Sequence, residues 1–235
     1  MQLERILQKH GFGTRRECRS LIRRHRVAVN GQACDDPFLE CQTDGLIFTV
    51  DGVDWPYAEF ACLMLHKPAG YECSRKPQHH PSVLSLLPVQ LRERDVQPIG
   101  RLDEDTTGLL LITNDGQLNH VLSSAKRKVP KVYLATTKHP LDQGQIDQLL
   151  SGVLLNDEPE PIAAAACEIA GEYLLRMTLT GGKYHQVKRM VAAAGNRVEA
   201  LHRETIAELH LPEDLKPGEW RWLTPQDMQA LGYSR

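Results

Sequence analysis

Apolar residues at Leu3, Ile6 and Leu7 recur at the spacing of one helix face and predict a helix over residues 2–10, ended by Gly11 and Gly13. Thr14-Arg15-Arg16-Glu17 is a capping-box start for a second helix, whose apolar face is Cys18, Leu21 and Ile22. Val27-Ala28-Val29 alternates like a strand and stops at the tight-turn pair Asn30-Gly31. Asp54-Trp55-Pro56-Tyr57 reads as the end of this unit and the start of a linker. That divides the chain into a small domain over residues 1–58 and a larger one over residues 59–235. The second part opens on an apolar strand at Cys62-Leu63-Met64-Leu65, followed by a Pro/Gly turn over residues 66–71 and a polar loop over residues 74–82. Leu109-Leu110-Leu111-Ile112-Thr113 reads as a buried strand closed by an Asn114-Asp115-Gly116 turn.

Beyond that turn, Leu118, Val121 and Leu122 have helical spacing over residues 117–125. Residues 131–136 read as a strand and residues 142–151 as a helix with Ile146, Leu149 and Leu150 inside. Residues 163–169 and 173–179 read as paired strands. Gly181-Gly182 breaks the chain before a helix that ends at Gly195, and a final strand region spans residues 198–211. Thr224-Pro225 opens a last short helix. Paired strands with scattered helices predict an α+β architecture instead of a doubly wound parallel sheet. No glycine-rich phosphate loop precedes a helix.

Composition changes this picture little, but the distribution of charge changes it a good deal. The 235 residues carry a net charge of only −2. Up to Gln32, however, Arg5, Lys9, Arg15, Arg16, Arg19, Arg23, Arg24 and Arg26 face only Glu4 and Glu17. The stretch that follows, to residue 61, holds seven acids and no Lys or Arg. A dense arginine set suits phosphate, because the planar guanidinium offers forked donors. A solvated helix face is the simpler alternative. No apolar run approaches the length of a membrane span, and the N-terminus lacks the apolar core of a signal peptide, so a cytoplasmic protein is expected. The six cysteines include no Cys-x-x-Cys pair and no zinc spacing, and read as small hydrophobes or idle thiols. His79-His80 reads as a loop pair, not a metal site.

Three distant segments offer complementary chemistry. Gly100-Arg101-Leu102-Asp103-Glu104-Asp105-Thr106-Thr107-Gly108 is a polar loop with three consecutive acids that feeds a core strand. Tyr133 offers a stacking ring with a hydroxyl. Lys183, Lys188 and Arg189 offer cations beside a Gly-Gly turn. Each has a plainer reading: acids that bond their own turn, a core aromatic, a solvated helix start.

The pattern Leu3…Gly11…Thr14-Arg15-Arg16-Glu17…Leu21-Ile22…Val27-Ala28-Val29-Asn30-Gly31 resembles the small RNA-binding domain of ribosomal protein S-four. The segments Lys67-Pro68-x-Gly70, Gly100-Arg101-Leu102-Asp103-x-Asp105-Thr106-x-Gly108-Leu109, Lys131-x-Tyr133 and Tyr184-His185-Gln186-Val187-Lys188-Arg189-Met190 stand in the order seen in pseudouridine synthases. Leu201-His202-Arg203-Glu204 and Leu215-Lys216-Pro217-Gly218-Glu219 are similar to the branch named for the small-subunit enzyme RsuA.

That resemblance covers essentially the whole chain. It implies an S-four-type domain followed by a catalytic domain built on a mostly antiparallel mixed sheet with flanking helices. It further implies isomerisation of a ribosomal uridine to pseudouridine without cofactor or metal. In it Asp103 is the catalytic carboxylate, Tyr133 the stacking aromatic and Lys188 the cation beside the carboxylate. Arg101, His185, Val187 and Arg189 would meet the substrate, and Arg15, Arg16, Arg19 and Arg23 the RNA backbone. His66 stands where relatives often have Asn, and Val132 where Thr is common. The chain lacks the long basic C-terminal tail of many large-subunit enzymes, which favours 16S RNA, within a small-subunit assembly particle and with the chain acting as a monomer. A 23S enzyme and a catalytically silent assembly factor are the alternatives. A glycosidase with paired carboxylates would leave the basic N-terminal helices unexplained.

Overall fold

The apolar spacing at the N-terminus folds as α1 (Leu3–Lys9) and α2 (Arg15–Arg23). Thr14 and Glu17 complete the expected capping box, with the Thr14 hydroxyl accepting from the Glu17 amide. Four antiparallel strands follow: β1 (Val27–Val29), β2 (Gln32–Cys34), β3 (Ile47–Val50) and β4 (Val53–Pro56), in the order β2-β1-β3-β4. The computed structural model describes residues 1–234. Met1–Ala61 and Leu87–Val96 form one compact unit, and Cys62–Leu86 with the chain from Gln97 onward forms the other.

The first unit departs from the sequence reading in two places. Asp54-Trp55-Pro56 is an edge strand, not linker: Trp55 lies opposite Phe48 and is buried. Proline is tolerated there because an edge has no partner on its outer side. The second departure is α3 (Val89–Arg92), which joins this unit from far along the chain. Gly11, at φ +80°, accommodates it: a Cβ there would lie 2.0 Å from the Gln90 carbonyl oxygen. Arg94 Nη2 donates to the Ala58 and Glu59 carbonyls at 2.6 and 3.2 Å.

The second unit is built on a nine-stranded sheet. Its strands are β5 (Cys62–Lys67), β6 (Gln97–Pro98), β7 (Thr107–Thr113), β8 (Lys131–Thr137), β9 (Ala166–Gly171), β10 (Leu174–Leu179), β11 (Val198–Ile206), β12 (Leu209–His210) and β13 (Trp220–Trp222). The main path runs β13-β5-β7-β11-β8-β10-β9, and β6 and β12 pair with β7 and β11. Every pairing is antiparallel except β7 with β11, which makes this the expected mixed, mostly antiparallel sheet. At that parallel contact Gly108 is obligatory, since a Cβ would meet the Arg203 carbonyl oxygen at 2.3 Å.

Four helices flank the sheet: α4 (Gly116–Ser123), α5 (Gln143–Ser151), α6 (Gln186–Ala193) and α7 (Pro225–Ala230). Asp115 is the N-cap of α4, so the expected Asn-Asp-Gly turn is a helix start. The strand region expected over residues 198–211 holds two strands, separated at Ala207 with φ 52°. One apolar cluster joins α5 and α6 to β8 and β10 through Ala135, Ile146, Leu149, Met177, Val187 and Met190. A second joins α4 and Leu231 to β5 and β7 through Met64, Leu109, Leu111, Leu118 and Leu122.

His10 is the buried polar group on which the first unit's core closes. Its Nδ1 donates to the Ile6 carbonyl at 2.8 Å, and its Nε2 accepts from the Ala58 amide at 3.0 Å, so the neutral tautomer is fixed. Burial, with the nearby Arg94 charge adding to it, lowers its pKa to about 4. The stability this confers is complete above the ordinary histidine value of 6.5 and is lost as pH falls from there through about 4. Urea titrations at pH 7.5 and 4.5 should therefore show wild type losing about 2–3 kcal/mol more than His10→Gln between the two pH values. Equal losses in both proteins would show that His10 does not titrate with unfolding.

Candidate active site

The acid loop lies between β6 and β7, and a buried lysine holds it in place. Lys67 closes β5 with 0% exposure, and its Nζ donates to three carbonyls: Pro68 at 3.0 Å, Glu104 at 3.0 Å and Thr106 at 2.8 Å. Three ammonium hydrogens thus meet three acceptors. Burial lowers the Lys67 pKa, while the loop's own acids pull it the other way. The Gly70 amide donates to the Glu104 carbonyl at 2.8 Å, the Thr106 amide to the Asp103 carbonyl at 3.1 Å, and the Leu102 amide to Cys73 Sγ at 3.4 Å. Partners outside the loop thus hold its backbone at Leu102, Glu104 and Thr106.

The Asp103 carboxylate faces the start of α6. His185 Nε2 lies 3.3 Å from its Oδ1, and Lys188 Nζ lies 3.6 Å from its Oδ2. Asp105 holds the same lysine more closely, with Nζ 2.7 and 2.8 Å from its two oxygens. Asp105 is therefore more than the loop support its place in the sequence suggests. Partial burial pushes its carboxyl pKa up, but the Lys188 hydrogen bond and charge outweigh this and hold it below the usual carboxylate range.

Tyr133 enters through sheet register. Lys67, Gly108, Arg203, Tyr133, Met177 and Cys167 are successive cross-strand partners over six strands, so the side chains of all but the glycine share one face. Met177 belongs to the cluster beneath α6, and Tyr133 packs against that cluster. The tyrosine thus lies on the face that α6 covers. Arg203 is 2% exposed, donates from Nε to the Leu109 carbonyl at 2.8 Å and leaves Nη2 without a protein partner. Lys131 is drawn down to about 8 by burial and by the Arg203 charge. Neither Lys67 nor Arg203 stood out as a site residue in the sequence, although Lys67-Pro68 and Leu201-His202-Arg203 were both visible as motifs.

The structure places the remaining candidates differently from one another. Arg101 is exposed on the acid loop, whereas Val187 is 4% exposed within the cluster beneath α6. Arg189, expected to meet substrate, pairs with Asp157 and donates from Nη1 to the Tyr184 carbonyl at 3.1 Å in the turn before α6. In the first unit Arg15, Arg16, Arg19, Arg23 and Arg24 line one depression together with Ser20. Within it Arg19 is committed to buried Glu4 and lies over the Phe38 ring. Among the described residues no group of three or more His, Cys, Asp or Glu side chains could hold a metal ion, and no helix is long and apolar enough to cross a membrane.

These features can be set beside known proteins. The RNA pseudouridylate synthase family matches residues 61–193, which include the acid loop, Tyr133 and α6. The chain is 35% identical to ribosomal small subunit pseudouridine synthase A of Haemophilus influenzae, over 98% of this chain and 99% of the relative. The chain belongs to the pseudouridine synthase family, in its RsuA-type branch. This synthase is also 36% identical to the uncharacterized RNA pseudouridine synthase YtzG of Bacillus subtilis, over 98% of each chain. It is similar in structure to a crystallised pseudouridylate synthase, with a TM-score of 0.70 and 33% identity over 98% of this chain and 99% of the other.

The division of Lys188 between two carboxylates can be read directly in this synthase. In Lys188→Met the Asp105 carboxyl loses the partner that holds its pKa down, so carbon-detected NMR should show it titrating at higher pH than in wild type. An unchanged Asp105 titration would mean that the pair does not form in solution.

Proposed function

We propose that this synthase converts one uridine of small-subunit (16S) ribosomal RNA to pseudouridine, position 516 in the family's naming, with Asp103 as the catalytic carboxylate. The observation that carries the chemical assignment is the placement of Asp103 opposite Lys188 and His185 on a loop locked by Lys67. Full-length similarity to relatives named ribosomal small subunit pseudouridine synthase A supports the choice of RNA.

In the reaction the N1–C1′ bond breaks and a C5–C1′ bond forms. The proton on C5 leaves, and N1 takes one up. A stacked base is out of reach, so the uridine must be extruded or already unpaired. Asp103 supplies an anion to the sugar or to the base, with Lys188 as the positive charge beside it. Tyr133 offers its ring to the extruded uracil. No step calls on a metal or cofactor.

The first unit serves in this proposal as an S-four-type RNA-binding domain, with Arg15, Arg16, Arg23 and Arg24 meeting backbone phosphates. The chain acts as a monomer in the cytoplasm, on RNA within an assembling small subunit.

Transcripts carrying uridine tritiated at C5 test this reading, because isomerisation releases that tritium to water. Incubation with 16S RNA, naked or as an assembling particle, should release tritium from a single uridine, and 23S RNA should release none. Release from 23S RNA alone would move the enzyme to the large subunit. No release from either would favour a catalytically silent binding protein.

A further inference from the structure

Tyr184 is the most exposed large apolar side chain among the described residues, at 67%. Folding alone gives no reason for it, since the ring packs into neither apolar cluster of its unit. Its ring contact is with His185: the centroids lie 3.8 Å apart and the planes 19° from parallel. One face of the tyrosine is thus covered by an imidazole, and the rest is open to water. The same imidazole places Nε2 3.3 Å from Asp103. An exposed aromatic surface therefore stands one ring away from the catalytic carboxylate.

This arrangement is held in advance. His185 adopts a left-handed backbone conformation, φ 47°, that residues other than glycine seldom take. The turn around it is tied down from several directions. The Lys183 amide donates to Gln186 Oε1 at 3.0 Å, the Gln186 amide to the Lys183 carbonyl at 3.2 Å, and Arg189 Nη1 to the Tyr184 carbonyl at 3.1 Å. Glu158 pairs with Lys183, and Asp157 with Arg189. Charged groups that would suit phosphate are thus consumed in presenting a flat ring.

We propose that Tyr184, backed by His185, is a stacking platform for the nucleobase next to the isomerised uridine. The proposal rests on the reading of Asp103 as the centre of pseudouridine formation and adds a second base-binding position to that site. Extruding a uridine leaves its neighbour without a stacking partner on one side. A ring already stacked on one face offers its other face to that base. Such a contact recognises the π surface and not the hydrogen-bonding edge, so it accepts any base and favours the larger purines.

The probe is a small-subunit RNA fragment containing the proposed target uridine, position 516 in the family's naming, with 2-aminopurine substituted in turn on its 5′ and 3′ sides. Stacking quenches the fluorescence of this base. Wild type and Tyr184→Phe should quench one of the two positions on binding, whereas Tyr184→Leu should not. The Leu variant should also show a KM raised about tenfold, the size expected for one lost base–aromatic contact, with the salt dependence of binding unchanged. Thermal unfolding of the three proteins checks that the exposed substitution leaves the fold intact.

Quenching by Tyr184→Leu equal to wild type, or no quenching at either position by wild type, would overturn the platform. Because the fluorescence readout needs binding but no turnover, it separates the two readings. Quenching that depends on Tyr184, in a protein that releases no tritium from the same uridine, would sink the catalytic assignment and leave Tyr184 as a base-stacking surface alone.

Discussion

A buried ammonium group is the constraint on which the site depends. Lys67 reaches from the end of β5 into a space where water cannot solvate it, and the carbonyls of Pro68, Glu104 and Thr106 compensate by direct hydrogen bonds. An unpaired charge in such a place costs several kcal/mol, so the loop has one low-energy arrangement, with those carbonyls turned inward. The side chains of Asp103 and Asp105 are then left to face α6. The acids need not be pulled into position by Lys188, because the backbone beneath them is already fixed. Gly108 continues the same logic one step further, since its missing side chain lets β7 lie against β11 and brings Arg203 and Tyr133 into the rung that begins at Lys67.

Local signals made much of the fold legible. The α1 and α2 helices follow from apolar spacing and a capping box. The first hairpin follows from Asn30-Gly31, whose two residues take φ 48° and 80° as a two-residue turn of mirror-image type requires. The elements that escaped notice lack such signals. Val53–Pro56 carries an Asp and a Pro that argue against a strand, yet the edge position tolerates both. Trp220–Trp222 is three residues long with no clear alternation, and it is a strand because β5 offers an open edge. That Leu87–Val96 packs with the first unit is a non-local fact, recorded at most in the need for glycine at position 11.

The resemblance paired Lys188 with Asp103, but the closer pair of Lys188 with Asp105 was not legible in the sequence. The acid loop and the start of α6 were visible as motifs, yet 83 residues separate Asp105 from Lys188, and no spacing rule links them. Cations were the least legible of all. Arg19 and Arg189 look available in the sequence, but Glu4 and Asp157 occupy them. The depression on α2 and the start of α6 therefore differ in kind. The first gathers arginines along one helix, whereas the second spends its charges on holding a turn, a carboxylate and an aromatic ring in place.

The central claim is that the Asp103 carboxylate, and not the loop's acidity in general, does the chemistry. The most direct measurement is tritium release from C5-labelled 16S RNA by Asp103→Asn, with binding of the same RNA measured in parallel. Asn has nearly the shape of Asp, and the loop is held through its backbone, so the variant should fold and bind RNA as wild type does, or slightly more tightly with one fewer negative charge facing phosphate. It should release no tritium above background. Wild-type release by Asp103→Asn would contradict the account and require another residue to supply the anion.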